Sequence, residues 1–186
     1  IFSTILLLCT YGAIQVGNSY YKGSVLIRVQ NANRKAVDAI TSAIQYGGTD
    51  TVSGTLPNES LTSPSDTGSA SVFCIGNVRF YYQAGVVVTG ASRGLVMDKE
   101  VASCGAGNAN TGDDKELLGE NMRITKFIIR QVGPADANTY SVSLSTAYGA
   151  TSSLESSTEG LVCKGGAESK FCATSTYTAT VQRRLE

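Results

Sequence analysis

The first 46 residues contain no proline, and the first charged residue is Lys22. Apolar side chains dominate residues 1–16, whereas from Val25 onward they recur at steps of three and four residues. That spacing is typical of a helix with one buried face. A continuous helix ending at Tyr46 would be about 69 Å long at about 1.5 Å per residue. Because this length exceeds the width of a domain of this size, the front half must find contacts outside its own domain.

The two halves of the predicted helix differ in their pattern. The front half is uncharged over residues 1–21, and its large apolar residues are Ile1, Phe2, Ile5, Leu6, Leu7, Leu8, Ile14 and Val16. The rear half is amphipathic, and its predicted packing residues are Val25, Val29, Val37, Ile40 and Ile44. Gly47 and Gly48 are a good helix stop, since glycine tolerates the left-handed cap conformation.

A membrane anchor followed by an ordinary core helix is the alternative interpretation of this segment. A helix that crosses a bilayer needs about 20 mostly apolar residues, and residues 1–21 are uncharged, although their dense apolar part is shorter. The segment lacks the basic start and cleavage site of a secretory signal. An anchor usually meets its domain through a flexible linker, whereas here only Gly17 and Gly23 interrupt the pattern. We expect further residues before Ile1 in the full protein.

The rest of the chain shows strand patterns. Residues 49–71 hold eleven Ser or Thr, which predicts an exposed loop. Aromatic and β-branched residues then predict strands at 72–75, 78–82, 86–88, 94–97 and 122–132. Alternation of apolar and polar residues predicts strands with one face in water at 140–145 and 177–182. A long helix followed by meandering strands predicts an α+β fold, with an antiparallel sheet on the rear half of the helix.

Four of the five cysteines lie beyond the helix and permit three pairings. The pairs nearest in sequence are Cys74–Cys104 and Cys163–Cys172, so we predict these two disulfides. Cys9 lies inside the apolar helix segment, where the rest of the domain cannot easily reach it. Two disulfides imply export to an oxidising compartment. A four-cysteine metal site is the competing interpretation, which the absence of C-x-x-C spacing disfavours.

Composition removes several classes of function. Histidine is absent, which excludes histidine general bases, Ser-His-Asp triads and His-ligated metals. Lys+Arg and Asp+Glu are both 15, so the formal net charge is zero. A nucleic-acid-binding chain needs a positive stripe to displace counterions. We therefore expect no enzyme activity, no cofactor, no metal and no nucleic-acid partner.

Three polar groups keep other interpretations open. Oxygen ligands of the kind that calcium prefers are offered by Asn108, Asn110, Asp113 and Asp114. Their spacing does not match a calcium loop, and a solvated turn is favoured. Carboxylate pairs of the kind used in glycoside hydrolysis are offered by Asp98, Glu100, Glu116 and Glu120. Without a cleft signature, surface charge is the favoured interpretation, and Arg183 and Arg184 predict a solvated terminus or a subunit contact.

Three stretches carry a family resemblance. They are residues 1–21, which begin Ile-Phe-Ser-Thr-Ile-Leu-Leu-Leu, residues 30–48, and residues 171–185, with Cys163 and Cys172 close together before the last strand. These stretches resemble bacterial type IV pilins and the related minor pilins and type II secretion pseudopilins. One position departs from the family, because Ile5 stands where the family has glutamate. Either the chain begins inside the mature protein, or the filament assembles without that charge. We expect the former, because the apolar run is otherwise too short.

The resemblance implies a lollipop-shaped fold. Residues 1–24 would form the half of the helix that lies in the membrane and then in the filament core, where the apolar residues named above would bundle. Residues 25–186 would form the globular head. The head would comprise the amphipathic helix half 25–46, the loop 49–71 and the sheet region 72–186.

The resemblance also implies a function. We predict a structural subunit of an extracellular type IV pilus, a helical homo-oligomer that serves adhesion, twitching motility or both. Its partners would be the inner membrane before assembly, the pilus assembly machinery, and host or neighbouring cell surfaces. The alternatives are a type II secretion pseudopilin and a membrane-anchored extracellular binding domain.

Overall fold

The computed structural model describes residues 2–47, 53–99, 104, 114–133, 138–158, 160–165 and 171–184. Some predicted features lie outside these ranges. They are Ile1, the helix stop at Gly48, Glu100, Leu185 and the calcium candidates Asn108, Asn110 and Asp113.

A single long helix, α1, spans Phe2–Tyr46 and runs without interruption through Gly17 and Gly23. Its 45 residues correspond to about 68 Å at about 1.5 Å per residue. All of its buried residues belong to the rear half, and they are Val25, Val29, Asn33, Ala36, Val37, Ile40 and Ile44. The rear half therefore has one face in the core, as its three- and four-residue spacing predicts.

Strands account for most of the chain after the helix. Their bounds are β1 Ser53–Gly54, β2 Asn58–Ser60, β3 Ser71–Ile75, β4 Val78–Tyr82, β5 Leu95–Asp98, β6 Lys115–Glu116, β7 Met122–Gln131, β8 Thr139–Tyr148, β9 Leu154–Ser157, β10 Gly160–Cys163 and β11 Ala173–Gln182.

These strands form two sheets and one separate hairpin pair. One sheet has the order β1-β3-β4-β5-β6, the other has the order β11-β8-β7-β2, and β9 pairs with β10. Neighbouring strands are antiparallel throughout. The helix α1 packs on β11 and β8. This arrangement confirms the predicted α+β fold, in which a long amino-terminal helix lies on antiparallel sheet.

An aromatic cluster joins the two sheets. Phe73 of β3 stacks on Phe80 of β4, with ring centroids 5.1 Å apart. Phe127 of β7 meets Tyr82 edge-on at 5.0 Å and Phe73 at 5.9 Å. Such offset and edge-to-face pairs stabilise by about 0.5–1.5 kcal/mol each beyond their buried area. The cluster therefore fixes the first sheet against the second and leaves β8 and β11 to receive the helix.

A buried asparagine fixes the helix on the sheet. Asn33 is fully buried, and its Nδ2 donates to Ser175 O at 2.7 Å. The Thr146 hydroxyl donates to Asn33 Oδ1, also at 2.7 Å. Because a buried amide requires partners for both ends, these two bonds allow one rotational setting of α1 over β8 and β11.

The strand predicted at 86–88 is wrong. Val88 lies in a loop, where its N–H donates to Met122 O and its C=O accepts from the Asn121 N–H. The three valines between Gly85 and Gly90 form no strand, and Val88 joins the start of β7 through these two hydrogen bonds.

The exposed loop predicted at 49–71 is also wrong in part. It contains β1 and β2, and β2 pairs with β7 from Asn58 to Ser60. Pro57 and Leu61, on either side of β2, are buried. The β9–β10 pair was not predicted either. Both strands are four residues long and lack a clear period.

Candidate interaction surfaces

The front half of α1 exposes its apolar side chains on every side. Its exposed large side chains are Phe2, Ile5, Leu6, Leu7, Leu8, Tyr11, Ile14, Val16 and Tyr20, with exposed fractions from 51% at Leu6 to 80% at Tyr20. Consecutive helical residues point about 100° apart, so Leu6, Leu7 and Leu8 surround the axis. A helix that is apolar all round is normally buried. Each predicted front residue from Phe2 to Val16 therefore lies on a surface without cover from the described part of its own chain.

The described residues contain no helical segment with both the length and the apolar character needed to cross a membrane. The predicted transmembrane helix is therefore not found in them. Polar residues lower the mean hydropathy of the front half, and they include Ser3, Thr4, Thr10, Gln15 and Asn18.

Aromatic side chains mark the boundary between the exposed and packed halves. The Tyr21 and Phe171 rings meet edge-on, with centroids 5.3 Å apart. The pKa of Tyr148 is raised, mainly because the side chain is partly buried and to a smaller extent because it shares a hydrogen bond with Tyr21. Phe171 directly precedes Cys172, so the Cys163–Cys172 disulfide anchors the segment that touches the helix. This contact joins residues 150 positions apart in the sequence, and no local pattern predicts it.

Both predicted disulfides form. Cys74 and Cys104 have Cα atoms 5.8 Å apart, and those of Cys163 and Cys172 are 5.7 Å apart. Cys9 has a free, exposed thiol on the front half of α1. The disulfides favour an oxidising compartment outside the cytoplasm.

Two of the carboxylates proposed for hydrolytic chemistry, Asp98 and Glu116, have structural partners. Asp98 accepts a 2.6 Å hydrogen bond from Arg79, and both side chains are largely buried. The Glu116 carboxylate accepts backbone N–H bonds from Gly94, Leu95 and Leu118. Glu116 therefore ties the start of β5 to the residues that follow β6, and Asp98 neutralises a buried arginine.

The residues that the structure describes contain no cluster that would support the calcium or the metal interpretation. Asp114 is largely buried and lies 3.9 Å from Arg93. No group of three or more His, Cys, Asp or Glu side chains comes together in the described ranges. A largely buried carboxylate beside a guanidinium is typical of an ion pair.

Two further charged side chains, Arg123 and Glu59, bring polar atoms into the interior with different results. Arg123 is 2% exposed and donates to Gly149 O and to the Thr151 hydroxyl, and burial lowers its pKa. One oxygen of Glu59 is buried without a hydrogen-bond partner, and partial burial raises the pKa of this carboxyl. Arg123 therefore fastens the turn after β8 to β7. The unpartnered oxygen of Glu59 destabilises the fold locally, at the β2 edge of the sheet.

A groove of about 860 Å³ lies between α1 and residues 115–122. Arg28, Lys35 and Asp38 line its helix side, and Lys115, Glu116, Glu120 and Tyr148 line the other side. Because both signs of charge line the groove, its charge selects no single class of ligand.

The comparisons with known proteins identified no relative of this chain. No family model matches the sequence, no curated protein matches it, and no solved structure matches it. The long amino-terminal helix on an antiparallel sheet, with two disulfides, is consistent with a pilin-like fold.

Proposed function

We propose that this chain is a structural subunit of an extracellular filament of the type IV pilus kind. Filaments assemble when the apolar front halves of α1 bundle as a common core. The heads, built on the rear half, lie outside and serve adhesion, motility or both. In this proposal the chain has no catalytic role.

The observation that supports this proposal is the contrast within one continuous helix. Ile40 is fully buried on the sheet of its own chain, whereas Leu7 is 68% exposed. Burying a large apolar side chain stabilises by about 1.5–3 kcal/mol. A bundle of front halves buries many such side chains at once and is stabilised by each of them. A helix that is apolar on all sides also suits a position with neighbours on every side.

Two further features support an extracellular subunit. Two disulfides in one head favour an oxidising environment. The whole chain also carries charges of both signs without formal net charge, which keeps strong repulsion between identical neighbours low. The predicted contacts with the inner membrane, the assembly machinery and cell surfaces stay predictions.

The test compares two substitutions at one front position. Leu7→Asp places a carboxylate in the proposed core, where its desolvation costs several kcal/mol, and it should abolish filaments. Leu7→Met keeps an apolar side chain of similar volume and should retain them. Filaments are sheared from cells that produce each variant and are imaged by electron cryo-microscopy, and the folding of each head is checked by its two disulfides.

Normal filaments in the Leu7→Asp variant would contradict the proposal. Wild-type chains found only as single copies in the cell envelope would also contradict it, and would favour an anchored binding domain. A short periplasmic assembly with the same front-half core would favour a secretion pseudopilin.

A further inference from the structure

The strand β11 forms one edge of its sheet, and β8 is its only paired neighbour among the described strands. The Arg183 N–H donates to Asn138 O at 2.7 Å, in register with the β8–β11 ladder. In an antiparallel pair every second residue bonds to the facing strand, so the odd-numbered residues of β11 bond to β8. The even-numbered residues turn their N–H and C=O groups to the open edge, and they are Thr174, Thr176, Thr178, Thr180 and Gln182.

Side-chain contacts agree with this assignment. The Ser143 and Thr178 hydroxyl oxygens are 3.0 Å apart, and those of Ser145 and Thr176 are 2.8 Å apart. Side chains come closest at the pairs whose backbones do not bond to each other. No backbone group from another described element bonds to the outward N–H and C=O groups of these even-numbered residues.

The β11 edge lacks the features that normally protect a sheet edge from pairing with a further strand. Natural edges are blocked by charged residues, proline, bulges or very short strands. From Ala173 to Gln182 there is no charge and no proline, and all ten residues pair with β8 without a register shift. Such an edge can accept a further strand through backbone hydrogen bonds.

The helix provides a wall beside the edge. Thr41 and Gln45 of α1 and residues 179–184 line a groove of about 600 Å³. A groove between an edge strand and a helix flank holds an extended peptide on two sides. The strand supplies backbone bonds, and the helix flank limits which side chains fit.

The charge of the groove is one-sided. Among the described residues that line it, the charged ones are Arg183 and Arg184, and none is a carboxylate. The Arg184 guanidinium lies over the Tyr46 ring, 5.3 Å from the centroid, and the Arg184 N–H lies 3.5 Å from Gln45 O. The positive charge is therefore held at the end of β11, where the helix also ends.

We propose that the open edge of β11 and the flank of α1 form a strand-addition site for an extended acidic peptide of another protein. The peptide runs antiparallel to β11, so its amino-terminal end lies beside Arg183 and Arg184 and carries the carboxylates. This site uses the head and goes beyond filament assembly, which uses the front half of α1.

The test uses the full chain and fluorescent synthetic peptides of alternating threonine and valine. One peptide begins with two glutamates, and its control begins with two lysines. Fluorescence anisotropy should show that the glutamate peptide binds at least about tenfold more tightly, because opposite charges meet at the arginines. N-methylation of one alternate set of peptide amides should abolish binding, and methylation of the other set should leave it intact.

Two variants of the chain locate the site. Thr178→Pro removes one outward N–H and leaves the bonds to β8, so affinity should fall about tenfold. Thr178→Ala loses the same hydroxyl but keeps the N–H, and it should bind as wild type does. Arg184→Glu should reverse the preference between the glutamate and lysine peptides, which keeps the test decisive if Thr178→Pro does not fold.

Three results would overturn the proposal. The first is no binding of the glutamate peptide at millimolar concentration. The second is equal binding by Thr178→Pro and Thr178→Ala together with an unchanged preference in Arg184→Glu. The third is a chain that dimerises in sedimentation and becomes monomeric in Thr178→Pro, because the edge would then serve a second copy.

Discussion

The two halves of α1 belong to one helix and contain similar apolar residues, yet they have opposite surroundings. Val29 and Ile40 in the rear half are fully buried, whereas Phe2 is 79% exposed in the front half. The backbone is equally helical on both sides of Gly23. Continuity of the helix therefore does not decide which half belongs to the core of the chain.

The placement of polar residues accounts for the difference. In the rear half Arg28, Asn31, Lys35 and Asp38 all lie away from the residues that contact β8 and β11. In the front half no charge marks a solvent side before Lys22. A one-sided apolar face is satisfied by one sheet, whereas an all-sided face needs neighbours around its whole circumference. The difference teaches that the described part of the chain covers one face of the rear half and leaves the apolar surface of the front half exposed.

The largest expected effect comes from equal truncations in the two halves. Ile40→Ala removes fully buried atoms and should lower the free energy of unfolding by about 2–5 kcal/mol. Leu7→Ala removes exposed atoms and should change it by less than about 0.5 kcal/mol. Urea unfolding of the purified chain, followed by circular dichroism, measures both. Similar losses at the two positions would mean that the front half packs on its own head in solution.

Much of this contrast is predictable from the sequence. The helical period is local, so Val25, Val37 and Ile44 identify the buried face without knowledge of the sheet. The long strands β7, β8 and β11 are also predictable, because aromatic, β-branched and alternating residues mark them over many positions. The disulfide pairs follow from proximity along the chain.

The second effect concerns the point where the head touches the front half. Replacing both Cys163 and Cys172 with serine opens a short loop, which should cost about 3 kcal/mol in the chain-entropy description. It should also release Phe171 from Tyr21. Thermal unfolding measures the stability loss, and tyrosine fluorescence reports the contact. Cys9→Ser is the matched control, and a comparable loss in that variant would contradict the assignment of the bridge.

The third effect separates hydrogen bonds in the two halves. Asn33→Ala leaves the buried Thr146 hydroxyl without its acceptor and should cost about 1–3 kcal/mol. Ser19→Ala removes a hydroxyl that bonds only to Gln15 O of its own helix and should cost less than about 0.5 kcal/mol. Adding Thr146→Val to Asn33→Ala should cost less than the sum of the single changes. Strict additivity in the unfolding data would show that the two side chains do not act as a pair.

Other parts of the fold cannot be predicted from local pattern. Asn33 looks like an ordinary polar position until Thr146 and Ser175 are brought beneath it. The strand Asn58–Ser60 has no apolar period and exists because β7 offers an edge to pair with. The open edge of β11 is likewise set by which strands pair, and its sequence only shows that nothing blocks it.

The smallest expected effect comes from replacing a glycine in the front half of α1, which tests whether the two halves of the helix unfold separately. A Cβ added at Gly17 meets nothing within 4 Å, so Gly17→Ala should fit without a clash. Since alanine favours a helix by about 1 kcal/mol over glycine, hydrogen exchange of the amides near residue 17 should slow by about fivefold. The protection of the rear half, which is set by packing on β8 and β11, should not change. Slower exchange in both halves would mean that they unfold as one unit, and the contrast between an unpartnered half and a packed half would then be wrong.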